Sequence, residues 1–287
     1  MELKKSNRSA ARIRVALQGT SGSGKSYSSL LLGYGLTKDW TKIAVIDTEN
    51  KSAHLYSHLG DYFVLNLTAP FTPERYIEAI DTCENAGMEV IIIDSISHEW
   101  EGDGGILDMH SQLAGNSFTN WSKLTPRHNS LVQKIIASNS HIIATVRSKQ
   151  DYVITEKNGK LAPEKVGMKG VQRDGLEYDF TIFFELDIYN NATSTKDRTQ
   201  LFNPRIPLKI DISTGTKILE WCTSGSSKEN DEVDIPKLIN SCHTIEELTL
   251  LYKTNPEVRK FDTELHTRAA ILRNLSAPQN GINNHKL

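Results

Sequence analysis

Apolar residues recur along the first half of the chain in two rhythms. Ile13, Val15 and Leu17 alternate as in a strand, while KIAVID (42–47), residues 62–67, EVIIID (89–94) and HIIATV (141–146) are short, nearly continuous apolar runs. Runs of that length and β-branched content suit strands buried on both faces of a parallel sheet. Helical signals separate them. Residues 28–36 read as a helix, and Thr72-Pro73-Glu74 supplies an N-cap, a proline at the first helical position and an acid in the first turn. Ile77, Ala79 and Ile80 form the inner face of that second helix, which Ala86-Gly87 ends. Thr125-Pro126 opens a further helix with Leu131, Ile135 and Ile136 inward, and residues 101–117 between are Gly-rich and irregular. This alternation predicts an α/β fold, an open, mostly parallel sheet with helices on both faces.

The rhythm changes near Arg147. YVITEKNGKL (152–161) sets Asn158-Gly159 between β-type runs, a hairpin signal. DFTIFFEL (179–186), residues 206–212 and residues 217–221 read as strands that extend the sheet with antiparallel edges, the last two joined through Thr214-Gly215. SGSSKEND (224–231) has the composition of a linker. Beyond it Thr244-x-x-Glu247 forms a capping box before Leu248 and Leu251, and Pro256 opens a helix with Val258, Phe261, Leu265, Ala269 and Leu272 on one stripe. The expected organisation is a flexible N-terminus (1–11), an α/β core (12–223), a linker (224–232), a small helical hairpin (233–275) docked on the core or on a partner, and a flexible tail (276–287).

Bulk composition then narrows the class. The 287 residues carry 33 basic and 35 acidic side chains, a net charge of -2. That balance excludes a globally basic nucleic-acid binder and leaves room for a local basic site. Cys83, Cys222 and Cys242 lie far apart, without metal-ligand spacing, and fit free buried thiols in a reducing cytosol. No apolar run approaches the ~20 residues of a membrane span, and MELKKSNRSAARIR lacks the apolar core of a signal peptide. A cytoplasmic protein with no membrane partner is expected.

The chemistry begins at Gly19-Thr20-Ser21-Gly22-Ser23-Gly24-Lys25-Ser26, a full match to G-x-x-x-x-G-K-[ST] set between a strand and a helix. Glycines permit backbone angles that turn successive N–H groups inward as an anion nest, and the helix N-terminus adds its dipole. Lys25 is expected to reach the β- and γ-phosphates of ATP, and the Ser26 hydroxyl to ligate Mg²⁺. Asp94, at the carboxyl end of the most apolar strand, faces such a loop and can hold Mg²⁺ through water. Hydrolysis also needs a group that orients the attacking water. Glu49, just past KIAVID, is the first candidate. Glu99 and Asp47 compete with it, Asp47 being better suited to cap the strand end or bond the loop backbone. His98 and Trp100 read as packing residues.

GTSGSGKS, AVIDTEN and VIIIDS together resemble the RecA/RadA-like recombinase core. DSISHEW, HIIATVRSKQDYV, the KVGMKG–QRDGLEYDF pair and KDRT are similar to phage- and prophage-encoded AAA-type ATPases of the Sak-four kind, implicated in single-strand annealing and recombination. The resemblance covers roughly residues 11–222. It implies a RecA-like P-loop core that binds and hydrolyses ATP with Mg²⁺, using Lys25, Glu49 as the hydrolytic acid, and Asp94 with its neighbour Ser95. It sets Thr145 and Arg147 at a γ-phosphate sensor, where the RecA-type pattern has an Asn-Gln pair and this chain has Thr145-Val146-Arg147. It also puts Lys149, Lys157, Lys160, Lys165, Lys169 and Arg173, with Tyr152 and Tyr178, in a DNA-contacting loop. Basic and aromatic residues suit a single strand, although Asp151, Glu156, Glu164 and Asp174 are interleaved. Lys196 and Arg198 match a K-x-R segment that reaches a neighbouring subunit's nucleotide. The implied partners are single-stranded DNA, further copies of the chain in a ring or filament, and a single-strand-binding protein. The implied setting is phage recombination, annealing or DNA repair in a bacterial host's cytoplasm. The alternative is a nucleotide-gated regulatory or loading module acting through protein contacts of the helical tail. A small-molecule P-loop kinase is disfavoured, because residues 101–120 contain no arginine for a lid.

Overall fold

The computed structural model describes residues 11–157, 160–202, 206–224 and 235–276. The chain divides into two compact units, Met1–Ser226 and Ser227–Leu287. The predicted linker and flexible ends fall almost entirely outside the described residues, as does the Asn158-Gly159 turn.

In the first unit, strands β1 (Arg14–Gly19), β2 (Ile43–Asp47), β3 (Phe63–Asn66), β4 (Val90–Asp94), β5 (His141–Lys157), β7 (Ile182–Leu186) and β8 (Ala192–Asp197) lie in the order β3-β2-β4-β5-β1-β7-β8. β6 (Lys160–Gly170) pairs with the far half of β5 as an antiparallel hairpin. From β3 to β7 all neighbours are parallel, and β8 closes the edge antiparallel to β7. The predicted α/β class is therefore observed, with β7 joining parallel beside β1 and only β8 making the antiparallel edge.

Strand alternation sorts the core into two layers. Val15, Leu17, Val45, Ile92, Ile143 and Phe184 face one side, against Leu30, Leu32 and Leu36 of α1 (Lys25–Thr37) and Ile218 of α6 (Ile212–Thr223). Ala16, Ile46, Ile91, Ile93, Ile142 and Ala144 face the other. There they meet Tyr76 and Ile80 of α2 (Pro73–Asn85) and Leu131 and Ile135 of α5 (Ser117–Ala137). Both faces are dry, which is why these strands read as continuous apolar runs.

Several expectations are corrected. Residues 212–223 form α6 instead of a strand. Asp211 caps it by accepting from Thr214 N, and Thr214 Oγ1 in turn accepts from Asp211 N. Residues 206–211 contribute only the isolated bridge Ala192↔Leu208. Gly215, read as a turn, is a packing residue: a Cβ there would lie 2.2 Å from Leu32 O, and one on Gly35 would lie 2.3 Å from Ile212 O. Helices α1 and α6 cross backbone to backbone at these glycines. Gly35→Ala is therefore expected to destabilise the protein by about 1–3 kcal/mol through overpacking. Thermal melting should register this as a drop of several degrees, and an unchanged midpoint would refute the tight crossing.

Helix α5 starts nine residues before Thr125-Pro126, at the Asn116 cap whose side chain accepts from Phe118 N and Thr119 N, and it runs through Pro126. Its Ile136 is exposed. A short helix α3 (Ser97–Glu101) ends where the Gly-rich stretch begins, and the stretch itself holds the short helix α4 (Ile106–Gln112).

Among its described residues the second unit has three helices, α7 (Ile235–Ser241), α8 (Ile245–Thr254) and α9 (Asp262–Ser276), where a hairpin was expected. Thr244 caps α8 as predicted, accepting from Glu247 N, while Glu247 reaches back to His243 N. Pro256–Lys260 is a 3-10 turn and not the start of the last helix. Ile235, Ile239, Leu248, Val258, Leu265 and Leu272 give this unit its own small core.

Candidate functional site

Because β1, β2, β4 and β5 are parallel, the loops after them open at one edge of the sheet. The first of these, the β1–α1 loop, is shaped by Gly22 and Gly24, with φ of 81° and 82°, in the left-handed region that glycine enters freely. Gly24 caps α1 with no side-chain hydrogen bond, so the unpaired first-turn N–H groups remain for a ligand. Asn190, from the β7–β8 turn, donates to Gly22 O at 3.2 Å and braces the loop. Ser23 is buried beneath it, its Oγ without a hydrogen-bond partner. Lys25 Nζ donates to Gly19 O at 3.0 Å and Thr20 O at 2.8 Å. An ammonium has three protons, so one stays available. Burial lowers the Lys25 pKa, and Asp94 and Glu49 act against that.

Asp94 is only 4 % exposed. Thr145 on β5 donates to its Oδ1 at 2.5 Å, and the Ser26 hydroxyl also bonds it. Burial raises the Asp94 pKa despite those two bonds. One hydroxyl and one buried carboxylate are hard oxygen donors of the kind Mg²⁺ takes while keeping waters and phosphate oxygens as its other ligands. Among the described residues no group of three or more His, Cys, Asp or Glu could hold a metal alone. The site thus suits a cation shared with a phosphate.

Asp47 holds the turn after β2, accepting from Glu49 N at 2.7 Å and Ala53 N at 2.8 Å. That turn carries Glu49 to the cleft. Glu49 Oε1 accepts from Ser95 Oγ at 3.0 Å and Arg147 Nε at 2.8 Å, and Oε2 accepts from Arg147 Nη2. Burial raises the Glu49 pKa, but Arg147, His98 and Ser95 together outweigh it and the net shift is downward. Glu99 is fully buried elsewhere: His128 Nδ1 lies 3.0 Å from its Oε1, and Gln172 Nε2 donates to Oε2 at 3.2 Å. His98 Nδ1 lies 2.7 Å from Thr48 Oγ1 and its ring stacks on Phe71, while Trp100 stacks on Trp121.

A cleft of about 620 Å³ is lined by Ser21, Gly22, Gly24, Lys25, Ser26, Glu49, Asp94 and Arg147, together with Ser52, Tyr56 and Ser148. It collects the phosphate loop and both acids, and Glu99 is not on its wall. Sequence reasoning missed Tyr56, Ser148 and Asn190. Tyr56 follows Glu49 by seven residues, on the 3-10 segment Ser52–Leu59, and its ring meets Tyr27 of α1 edge-on at 5.9 Å.

The remaining candidates are scattered. Lys196 lies on β8, and its Nζ is held by the Glu177 and Tyr178 carbonyls of its own chain, whereas Arg198 is exposed. Lys149, Lys169 and Arg173 line a second cleft. The side chains of Tyr152, Lys157, Lys160 and Lys165 lie outside the described residues. Cys83, Cys222 and Cys242 are all buried, and none is in a disulfide. Among the described residues no helix is long and apolar enough to cross a membrane.

Comparison with known proteins agrees with this geometry. A family model described as an AAA domain matches residues 11–222, from the first strand through α6. A search of curated proteins finds no match. With the phosphate loop, both cleft acids and nearly all of the first unit inside the matched span, the chain belongs to the AAA domain family and is a nucleotide-binding P-loop ATPase.

Proposed function

We propose that the protein is a RecA-like ATPase that acts on single-stranded DNA in recombination, annealing or repair, as an oligomer and in a phage setting. The observation that carries this reading is the path of β5. Its Thr145 bonds Asp94, its Arg147 grips Glu49, and two residues on Lys149 lines a second cleft, with Lys169 and Arg173, at the foot of the β5–β6 hairpin. One strand thus joins the hydrolytic site to that second cleft.

In this reading the β1–α1 loop cradles the phosphates, Lys25 meets the γ-phosphoryl charge as it develops, and Glu49 orients the attacking water. Ser26 and Asp94 would hold Mg²⁺, which would supply neutralisation of charge on the phosphate oxygens. The Tyr56 ring offers a wall for the base. Of the two cations considered for a trans contact, Arg198 is the exposed one.

The test is an ATPase assay with and without single-stranded DNA, beside a salt titration of DNA binding. Hydrolysis should stop on chelation of Mg²⁺. DNA affinity should fall with salt on a log–log slope of about -2 to -4, as expected for a few phosphate contacts. Salt-insensitive binding, or none with any nucleotide, would remove the DNA claim. The independent core of the second unit favours one other reading, a protein-docking module regulated by nucleotide. Loss of partner binding with DNA binding intact, on deleting residues 232–275, would select it.

A further inference from the structure

We infer that the cleft formed by Trp100, Trp121 and the foot of the β5–β6 hairpin is a base-stacking site for single-stranded nucleic acid. The inference rests on the single-strand reading above and adds to it the site and the force that holds the strand.

The cleft encloses about 630 Å³ and is separate from the ATP cleft, sharing none of its lining residues. One wall is aromatic. Trp100 comes from α3 and Trp121 from α5; their rings lie 18° from parallel with centroids 5.9 Å apart. His110 of α4 stacks on Trp121 at 4.3 Å, and His128 meets Trp100 edge-on at 5.7 Å. His128 is in turn fixed by the buried Glu99 carboxylate. The two indoles are therefore held in place by three helices, yet neither is fully buried. A large rigid ring loses little freedom when it meets a ligand, which suits it to stacking.

The other wall is basic but nearly neutralised. Lys149 and Lys169 keep 63 % and 47 % of their side-chain surface exposed. Lys149 Nζ lies 3.5 Å from Glu101, and Lys169 pairs with Asp174, itself 77 % exposed. Exposed pairs of this kind are weak and exchange readily for a phosphate. Arg173 adds a third cation, with Asp151 and Asp174 on the same wall. The balance of charge decides the mode of binding. With cations and acids almost matched, phosphate contacts alone hold a strand weakly, so affinity must come from the bases. Stacking on an aromatic ring contributes roughly tenfold or more per base and tolerates any sequence. It requires unpaired bases, which a duplex does not offer.

The experiment uses the full-length protein and three labelled probes: an oligothymidylate of about twenty nucleotides, its abasic counterpart and a duplex of the same length. Anisotropy gives the affinity, and intrinsic tryptophan emission reports stacking. The oligothymidylate should bind at least tenfold more tightly than the abasic strand or the duplex, and should quench the emission. Trp100→Ala and Trp121→Ala should each weaken it by roughly tenfold, and Trp121→Phe should recover most of that loss. Melting curves and DNA-free ATP turnover identify a variant that has failed to fold, in which case the other position decides. Equal affinity for abasic and thymidylate strands, or full affinity in folded tryptophan variants, overturns the stacking site while leaving single-strand binding in place. Failure of every probe to bind overturns both.

Discussion

Lys25→Ala is expected to hydrolyse ATP roughly 10²- to 10³-fold more slowly than the wild type, the cost of removing one preorganised donor from developing charge. The ammonium sits inside the phosphate loop, bonded to the Gly19 and Thr20 carbonyls, with one proton left for a phosphate oxygen. Its partial burial makes the charge more effective, because little water competes for it. Alanine removes both the charge and the bond, so nucleotide affinity should fall along with turnover. The fold should survive, since the lost hydrogen bonds run only to loop carbonyls a few residues away. Phosphate release at saturating ATP, with calorimetric binding of a non-hydrolysable analogue, measures the two effects separately. A variant that keeps more than a tenth of wild-type turnover would show that the loop is not the site of hydrolysis.

The parts of the molecule that sequence made legible are those whose cause is local. The phosphate loop needs glycines at fixed positions between a strand and a helix, and GTSGSGKS states that need within eight residues. EVIIID and HIIATV became β4 and the start of β5 because strands buried on both faces must be apolar throughout. Segment 206–221 shows where the local signal fails. Its β-branched residues and Thr214-Gly215 resemble two strands and a turn, but Gly215 is there so that α6 can lie against Gly35 of α1, a reason found about 180 residues away. Pro126 misled in the other direction. A proline suits a first helical turn, yet Asn116 had already started α5, and tertiary burial of Leu124, His128 and Leu131 carries the helix through it.

The candidate site divides in the same way. Asp94 and Glu49 could be named because each ends or follows an apolar strand, and parallel order brings such ends to one edge. The Arg147–Glu49 bond could not, since it joins residues 98 positions apart through side-chain geometry alone. Trp100 read as packing, and it does pack. Only the fold shows that α5 brings Trp121 beside it and that β5 and β6 bring Lys149 and Lys169 to the same cleft.

Glu49→Gln is expected to lower turnover by roughly 10²- to 10⁴-fold, the range for losing a general base, while ATP binding changes little. Glutamine keeps the size of the side chain and can still accept from Ser95, so the turn built by Asp47 stays in place. What disappears is the carboxylate proposed to orient and polarise water. The pattern differs from that of Lys25→Ala, which should lose affinity as well, and the contrast in kcat against binding identifies the two roles. Glu99→Gln is the matched control. Glu99 is buried against His128 and Gln172 and does not line the cleft, so its variant should melt earlier but turn over normally while folded. If Glu99→Gln instead abolished hydrolysis at full stability, and Glu49→Gln spared it, the water-orienting role would belong to Glu99. Arg147 makes the Glu49 result sharper. It engages both carboxylate oxygens, leaving a lone pair on Oε2 as the point at which water can be taken up. A glutamine that satisfies Ser95 but presents an amide to Arg147 also breaks that ion pair, and because glutamine does not titrate, the fall should be of the same size at every pH at which the wild type is active.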